Sequence, residues 1–304
     1  CGFREGGGRG ARVLNERPML LHPLAAAALL VSAVPAQKAG SPVLAKLIAD
    51  DWNHELHESP TYASIIGDRR WNGRWDDLSA EAIAARRKHD GELVKKLDAL
   101  LAGKLSAGDR LNAELLRRDH LLWAEAHDLG WHLVAVSPQA GLPEGLRQLP
   151  GVQAAYELAG QLRFETVADH EEWLQRLESF GVYVDQTVAL LKEGVARGMV
   201  PAKVVLQRIP AQVDRQLAEP PERSGWYEPF VHMPASVPPA DQARLSKAAA
   251  AAVSDVVRPA LARFRAFLAD VYIPAAPEAV GIGRWKDGEK LYAYWARRST
   301  TTDL

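Results

Sequence analysis

The stretch TVADHEEWLQRLESFGVYVDQTVALLKEGVARGMVP, residues 166–201, decides the fold of this chain. Its large apolar side chains recur every three or four residues, which places them along one side of an α-helix of about six turns. These positions are Trp173, Leu177, Phe180, Val184, Val188, Leu191 and Val195. Each side chain gains roughly 1.5–3 kcal/mol only when another element covers it, so the stripe requires partner helices. The sequence therefore predicts an all-α core.

The ends of this helix are also marked in the sequence. Thr166 can cap the first turn, and Asp169 follows at a position where the helix dipole favours a carboxylate. Gly198 and Pro201 end the helix. Gly181 is the position at which the rod would bend or divide into two helices, because glycine costs about 1 kcal/mol relative to alanine inside a helix.

The composition is that of an ordinary globular protein. The chain has 304 residues, of which 47% are hydrophobic and 25% are charged. Its 37 Lys and Arg nearly balance its 38 Asp and Glu, so no strong overall field exists to hold nucleic acid or an anionic membrane. Cys1 is the only cysteine, which excludes an internal disulfide and a cysteine-based zinc site. A metal in this chain would need histidine and carboxylate ligands.

The first 36 residues resemble a leader and a targeting segment rather than part of a folded domain. Residues 1–18 are rich in Gly and Arg without an apolar period, which predicts a disordered leader or translation upstream of a true start at Met19. Residues 19–36 form an apolar run too short to span a bilayer, with Val34 and Ala36 at positions that a signal peptidase accepts. This predicts a secretory signal and an exported protein, periplasmic or extracellular, with a helical domain over 37–304. A short anchor and a buried N-terminal helix are the alternatives, and lipidation of Cys1 is not expected.

Further helices are predicted on both sides of the central one. Apolar spacing indicates a first helix over 43–58 and an antiparallel pair that begins at the capping residues Ser79 and Ser106. A short helix is predicted around 154–162, and a helix over 205–217 is interrupted by Pro210. The next long helix, over 240–272, has a predicted kink at Pro259. Its expected apolar stripe is Leu245, Val253, Val257, Leu261, Phe264, Leu268 and Val271.

The Pro-rich span over 220–239 separates these two helices. It holds Trp226, Tyr227 and Phe230, whose aromatic side chains favour a packed surface loop over a free linker.

Histidine and acidic residues provide the candidates for chemistry. His54 and His57, at i and i+3, could hold one ion, but a zincin needs histidines at i and i+4 with a glutamate between them and a third ligand downstream. His120 and His127 are seven residues apart, roughly 10 Å along a helix, which is too far to share an ion. The adjacent pairs Asp50–Asp51, Asp76–Asp77 and Glu171–Glu172 point in different directions and do not form a general acid–base dyad. No phosphate loop, nucleophile elbow or Cys–His arrangement occurs. The sequence therefore nominates no catalytic, cofactor-binding or metal-binding residue.

The last residues, 292–304, read YAYWARRSTTTDL. Their tyrosines and arginines could line a cleft, with arginine as a carboxylate clamp, or could form an amphipathic helix with a basic C-terminus. Residues 300–303 are helix-capping types with no helix after them.

Four segments together resemble a known family. They are SPTYASIIGDRRWNGRWDDLS (59–79), VDQTVALLKEGVARGMVPAKVVLQRIPAQ (184–212), VVRPALARFRAFLADVYIPAA (256–276) and VGIGRWKDGEKLYAYWARRSTTTDL (280–304). From about residue 43 to 304 the chain resembles the N-terminal half of the bacterial domain of unknown function 885 family, which is similar to helical zinc metallopeptidases.

The resemblance implies long antiparallel and kinked helices that form one wall of a deep cleft, and zinc-dependent hydrolysis of a peptide substrate by the full-length protein. The metal-binding motif of that family, His-Glu followed by Pro-Gly-His, is not found in these residues. No ligand can therefore be assigned here, zinc is expected only in a missing C-terminal half, and the chain alone is expected to be inactive. The alternative is a non-catalytic helical binding or scaffold module that uses residues 226–230 as its contact surface.

Overall fold

The computed structural model describes residues 40–136, 143–144, 147–148 and 151–302, and the predicted leader and signal peptide lie outside them. The all-α fold is confirmed, with a two-residue antiparallel ladder as the strand structure of the described residues. The α-helices are α1 (Pro42–Glu58), α2 (Pro60–Ile65), α3 (Ala80–Leu101), α4 (Ala107–Asp128), α5 (Val167–Ala196), α6 (Lys203–Leu206), α7 (Ile209–Ala218), α8 (Pro239–Ala252), α9 (Arg258–Phe267), α10 (Ile273–Ala275) and α11 (Gly288–Thr300), and the ladder pairs β1 (Pro143–Glu144) with β2 (Arg147–Gln148). Within the described residues, every helix is too short or too polar to cross a membrane.

Helix α5 is the centre of the fold. It is a single helix of 30 residues that continues through Gly181, so the predicted division there does not occur. Thr166 and Asp169 form a reciprocal capping box at its start, as the capping residues indicated. The predicted stripe is buried from Trp173 to Leu191, except for Val188, which like Val195 is partly buried. A second line is buried beside it, consisting of Tyr183, Thr187, Leu190 and Gly194. The helix is therefore covered over a wider arc than the stripe alone predicted.

Three tryptophans close the core around α5. The rings of Trp75 and Trp226 each lie within 6.5 Å of the Trp173 ring, and Trp226 is 4.5 Å from the ring of Phe180. The indole N–H of Trp75 donates to the carbonyl of Arg176 over 2.8 Å, and that of Trp173 donates to the carbonyl of Trp226 over 3.0 Å. Buried indoles need such acceptors, so the cluster fixes both position and orientation.

Helices α1, α3 and α4 form a second layer. Ser79 and Ser106 cap α3 and α4 as predicted. Ion pairs join Arg87 to Asp128 and Arg117 to Asp98, so the two helices run antiparallel. A small apolar cluster holds α1 on this pair, consisting of Leu44, Leu93, Leu97 and Ala113.

The helix predicted over 240–272 contains two π-helical turns. They span Val253–Val257 and Leu268–Tyr272, and each lies just before a proline, at 259 and 274. Proline lacks the N–H that an α-helix would use, and a wider turn accommodates the extra residue. The second turn shifts the buried position by one residue, so Tyr272 is buried while Val271 is 41% exposed. The stripe position predicted at Val271 is therefore wrong.

The structure also corrects the predictions for residues 154–162 and 226–230 and refines the prediction for Pro210. The helix predicted at 154–162 is a 3₁₀ helix, Val152–Gln161. The interruption at Pro210 separates α6 from α7. The aromatic loop over 226–230 is not a contact surface, because Trp226 is 1% and Phe230 is 3% exposed. The loop is packed, as its aromatic side chains predicted, and Trp226 and Phe230 belong to the core around α5.

Two glycines inside α5 allow a matched test of helix packing. A methyl group at Gly181 would meet Val256 and Arg263 at ordinary contact distances of 3.7 and 3.8 Å. A methyl group at Gly194 would lie 2.8 Å from the carbonyl oxygen of Leu133, which is backbone and cannot rotate away. We expect Gly181→Ala to raise the free energy of unfolding by about 0.5–1 kcal/mol. Gly194→Ala should lower it by about 1–3 kcal/mol in the same urea titration. Equal effects of the two substitutions would contradict this packing.

Candidate functional site

A cleft of about 570 Å³ lies between α1, α4 and α11. This volume is within the range of small-molecule and peptide side-chain pockets. Aromatic side chains, two arginines and three carboxylates line its walls. The residues of this cleft that carry the argument are Trp52, Tyr62, Arg118, Trp123, Trp295 and Arg298.

The cleft walls are held by contacts between rings and cations. Trp52 meets Tyr62 edge to face at 6.4 Å. The guanidinium of Arg298 lies 4.1 Å from the centre of the Trp123 ring, which fixes its plane by a cation–π contact. Arg118, which also lines the cleft, donates to the carbonyl of Arg297 on α11 over 3.1 Å. These contacts join α4 to the C-terminal helix at the cleft.

A buried cluster of histidines and carboxylates forms the cleft floor. His120, only 3% exposed, lies between two acidic side chains. Its Nδ1 is 2.8 Å from Asp90 Oδ1, and its Nε2 is 3.1 Å from Asp51 Oδ2. The other oxygen of Asp51 is 2.9 Å from His89 Nε2. The imidazole of His120, on α4, thus connects α1 through Asp51 and α3 through Asp90.

The protonation of this cluster follows from its geometry. Burial alone would lower the pKa of His120, but the hydrogen bonds and charges of Asp51 and Asp90 outweigh it and raise the pKa to about 10. Burial would likewise raise the pKa of Asp51, but its bonds to His120 and His89 lower it to about 2. At neutral pH the floor therefore holds a charged imidazolium between carboxylates.

His120, held between two carboxylates, cannot act as a general base near neutral pH. A catalytic histidine needs one ring nitrogen free to face the group whose proton it takes. Both ring nitrogens of His120 are engaged by carboxylates, and its pKa keeps it protonated. In the described part of the chain, no group of three or more His, Cys, Asp and Glu side chains could hold a metal ion. These residues therefore do not fit a zinc site.

The structure separates the histidines that the sequence considered as ligands. His54 stacks on His89 at 3.7 Å, and burial lowers its pKa. His57 contacts Glu58 at 2.9 Å on a largely exposed side chain. His127 lies 5.5 Å from the ring of His132, well away from the pairing of His120.

His132 is the sixth histidine of this region, and the sequence analysis did not mention it. Burial is the main cause that lowers its pKa, to about 4, and the positive charges of His127, Arg197 and Arg86 act in the same direction. It is therefore neutral at physiological pH.

Sequence reasoning missed the buried cluster, although a signal for it exists. Asp51 follows Leu44 and Leu47 at helical spacing, Asp90 precedes Leu93 and Leu97, and His120 follows Ala113 in the same way. One polar residue thus occupies an apolar stripe position on each of three helices in succession. Such residues need partners when buried, so they would be expected to meet each other.

Asp50 and Asp51 offer a matched test of the buried cluster. Asp51→Asn should leave His120 with one carboxylate and lower the free energy of unfolding by about 3–5 kcal/mol, because it breaks a buried ion pair on one side. Asp50 forms an exposed pair with Lys46, so Asp50→Asn should change stability by less than about 0.5 kcal/mol. Urea unfolding at pH 6 measures both, and similar losses would contradict the burial of Asp51.

The pKa shifts of the cluster also predict a pH dependence of stability. The pKa of His120 is raised, so its contribution is complete below 6.5 and is lost as the pH rises toward 10. The pKa of Asp51 is lowered, so its contribution is complete above 3.8 and is lost as the pH falls toward 2. The stability difference between wild type and His120→Gln should be largest between pH 3.8 and 6.5 and shrink as the pH rises from 6.5 toward 10. A difference that stays constant to pH 10 would show that His120 is not held as a cation.

Comparisons with known proteins identify the family. Among solved structures, the chain is similar to one described as "the putative lipoprotein from Colwellia psychrerythraea", with 17% sequence identity and a TM-score of 0.69. The match covers 86% of this chain and 46% of that chain, so this chain spans about half the length of that protein, and the likeness shows the fold alone. No curated protein matches the chain. The family described as bacterial protein of unknown function (DUF885) matches residues 60–304. Because this match covers most of the chain, the protein belongs to the DUF885 family.

Proposed function

We propose that this chain is the helical N-terminal portion of an exported zinc-dependent peptidase, and that it supplies one wall of the substrate cleft. The observation that carries the proposal is the aromatic cleft between α1, α4 and α11. Its rings can pack against the side chains of an extended peptide, and its arginines can bind peptide carbonyl or carboxylate oxygens. Trp52 is 46% exposed, so it presents its ring to a ligand rather than to the core.

The zinc ligands in this proposal come from another part of the polypeptide. The described residues offer binding groups and no group of side chains that fits a metal. The similar solved structure is about twice as long as the matched region, so this fold occurs as one half of a larger chain. The family's resemblance to helical zinc metallopeptidases supports a metal motif in the other half. Export is supported by the predicted signal sequence over 19–36.

A non-catalytic binding module is the second candidate. The engagement of both His120 nitrogens favours it, since the cleft then holds ring surfaces and cations without a poised base. In this form the contact surface is the cleft, because the loop over 226–230 is buried. Both candidates bind a peptide in the same place, and hydrolysis distinguishes them.

The complete reading frame of the gene provides the deciding measurement. Its purified product should contain about one zinc ion per chain and hydrolyse a fluorogenic peptide library, and a chelator should abolish the hydrolysis. Trp52→Ala in that product should raise KM by about tenfold with kcat within about twofold, because the ring contributes uniform binding. Tyr292→Ala is the control, since this 63% exposed ring does not line the cleft. Absence of both zinc and hydrolysis would reject the peptidase and leave the binding module.

A further inference from the structure

The end of the cleft at α11 contains two hydrogen-bond donors without acceptors. In the part of the chain that the structure describes, Arg298 Nη1 and Trp295 Nε1 are buried and have no hydrogen-bond partner. Both residues line the cleft, and they lie three positions apart on one helix. Buried N–H groups are almost always paired in folded proteins. Two unpaired donors on side chains that line one cleft can therefore be completed by a water or by a ligand group.

The surroundings of Arg298 differ from those of the arginine next to it. Arg297 forms an ion pair with Glu125 and is thereby neutralised. Arg298 instead lies on the ring of Trp123, a contact that orients the guanidinium, and it also bonds to the Tyr294 side chain. The described residues show no ion pair for it. A guanidinium held in a fixed plane presents parallel N–H groups, which match the two oxygens of a carboxylate.

The other charged residues of the cleft further restrict the chemical class of the ligand. Asp51 on the floor is already engaged by two imidazoles, so it does not neutralise α11. Arg118 adds a second guanidinium to the same cleft, and Asp119 and Glu55 add opposing carboxylates. A ligand with a single carboxylate next to an apolar group fits both the cation at α11 and the tryptophan rings.

We propose that Arg298 and Trp295 form a carboxylate-binding subsite within this cleft, for the free C-terminus or an acidic side chain of a peptide. The proposal deepens the proposed function, because it names the chemical group that the substrate cleft holds. The same chemistry would be met by a carboxylate from another part of the longer polypeptide, and the experiment separates these two sources.

The test compares two probes that differ only in charge at one end. N-acetyl-Ala-Ala-Phe with a free carboxylate and the same peptide as its C-terminal amide are titrated into the 304-residue chain by calorimetry. The free acid should bind at least about tenfold more tightly than the amide, as expected for a charge-assisted pair. Equal affinities, or no binding of either probe, would overturn the subsite.

Variants of the chain assign the effect to individual side chains. Arg298→Gln should reduce the ratio of acid to amide affinity to about one while binding the amide as wild type does, which also shows that the cleft is folded. Trp295→Phe removes one donor and keeps the ring, so it should reduce the ratio only about threefold. Arg297→Gln is the matched control and should keep the full preference. Asp119→Asn should increase the preference, because it removes an opposing charge. An acid preference that survives Arg298→Gln would reject the assignment.

The product of the complete reading frame identifies the source of the carboxylate. If the ligand is a free peptide, the acid preference persists in that product. If another part of the polypeptide supplies the carboxylate, the preference disappears there and remains in the 304-residue chain. Either result supports the subsite. If the 304-residue chain prefers the acid but the full-length product shows no zinc-dependent hydrolysis, only the peptidase proposal is rejected. If the full-length product hydrolyses peptides but the 304-residue chain shows no acid preference, only the subsite is rejected.

Discussion

The burial of Trp75, Trp173 and Trp226 around α5 is the constraint on which the rest of the structure depends. Apolar burial alone would allow these rings to slide, because the hydrophobic effect has no preferred direction. Their indole N–H groups remove that freedom, since each donates to one oxygen: the carbonyl of Arg176, the carbonyl of Trp226 and the side chain of Gln216. The acceptors lie on α5, on the loop before α8 and on α7. A shift of any of these segments would therefore break a hydrogen bond and at the same time expose an aromatic ring. This coupling makes the packing cooperative.

Arg176 carries this constraint from α5 to the helices that form the cleft. It is fully buried, and burial lowers its pKa to about 10, so it remains a cation at physiological pH. Its guanidinium donates to the carbonyl of Asn72 and to the hydroxyl of Ser64, and it lies 5.1 Å from the Trp75 ring. These partners lie on α2 and on the segment that leads into α3. The orientation of the second layer is thus determined by one cation that would be costly to bury without its acceptors.

Local rules predicted most of the fold, and the failures have identifiable causes. The caps at Thr166, Ser79 and Ser106 and the stripe from Trp173 to Leu191 depend on neighbours within one helix, which the sequence shows directly. Tyr272 was missed because a π turn changes the period, and a fixed spacing of 3.6 cannot anticipate it. The aromatic side chains of the Pro-rich loop predicted that it packs, but a loop without a period does not show which element covers Trp226. The cleft depends on contacts between residues more than 60 positions apart, such as Asp51 with His120, and a single sequence does not specify these.

The distribution of charge explains why binding is expected at α11 rather than at the floor. Replacing a buried ion cluster with apolar side chains is often neutral or stabilising. Such a cluster therefore determines the relative positions of the helices more than it adds to the free energy of unfolding. Here it fixes α1, α3 and α4 by one imidazole with a partner on each side. The imidazolium offsets one of its two carboxylates, and the described oxygens of both carboxylates already face its ring nitrogens, whereas the guanidinium of Arg298 lies against an aromatic ring. The positive groups that an incoming carboxylate meets in this cleft are therefore Arg298, whose guanidinium lies on the Trp123 ring, and Arg118, which donates to the carbonyl of Arg297.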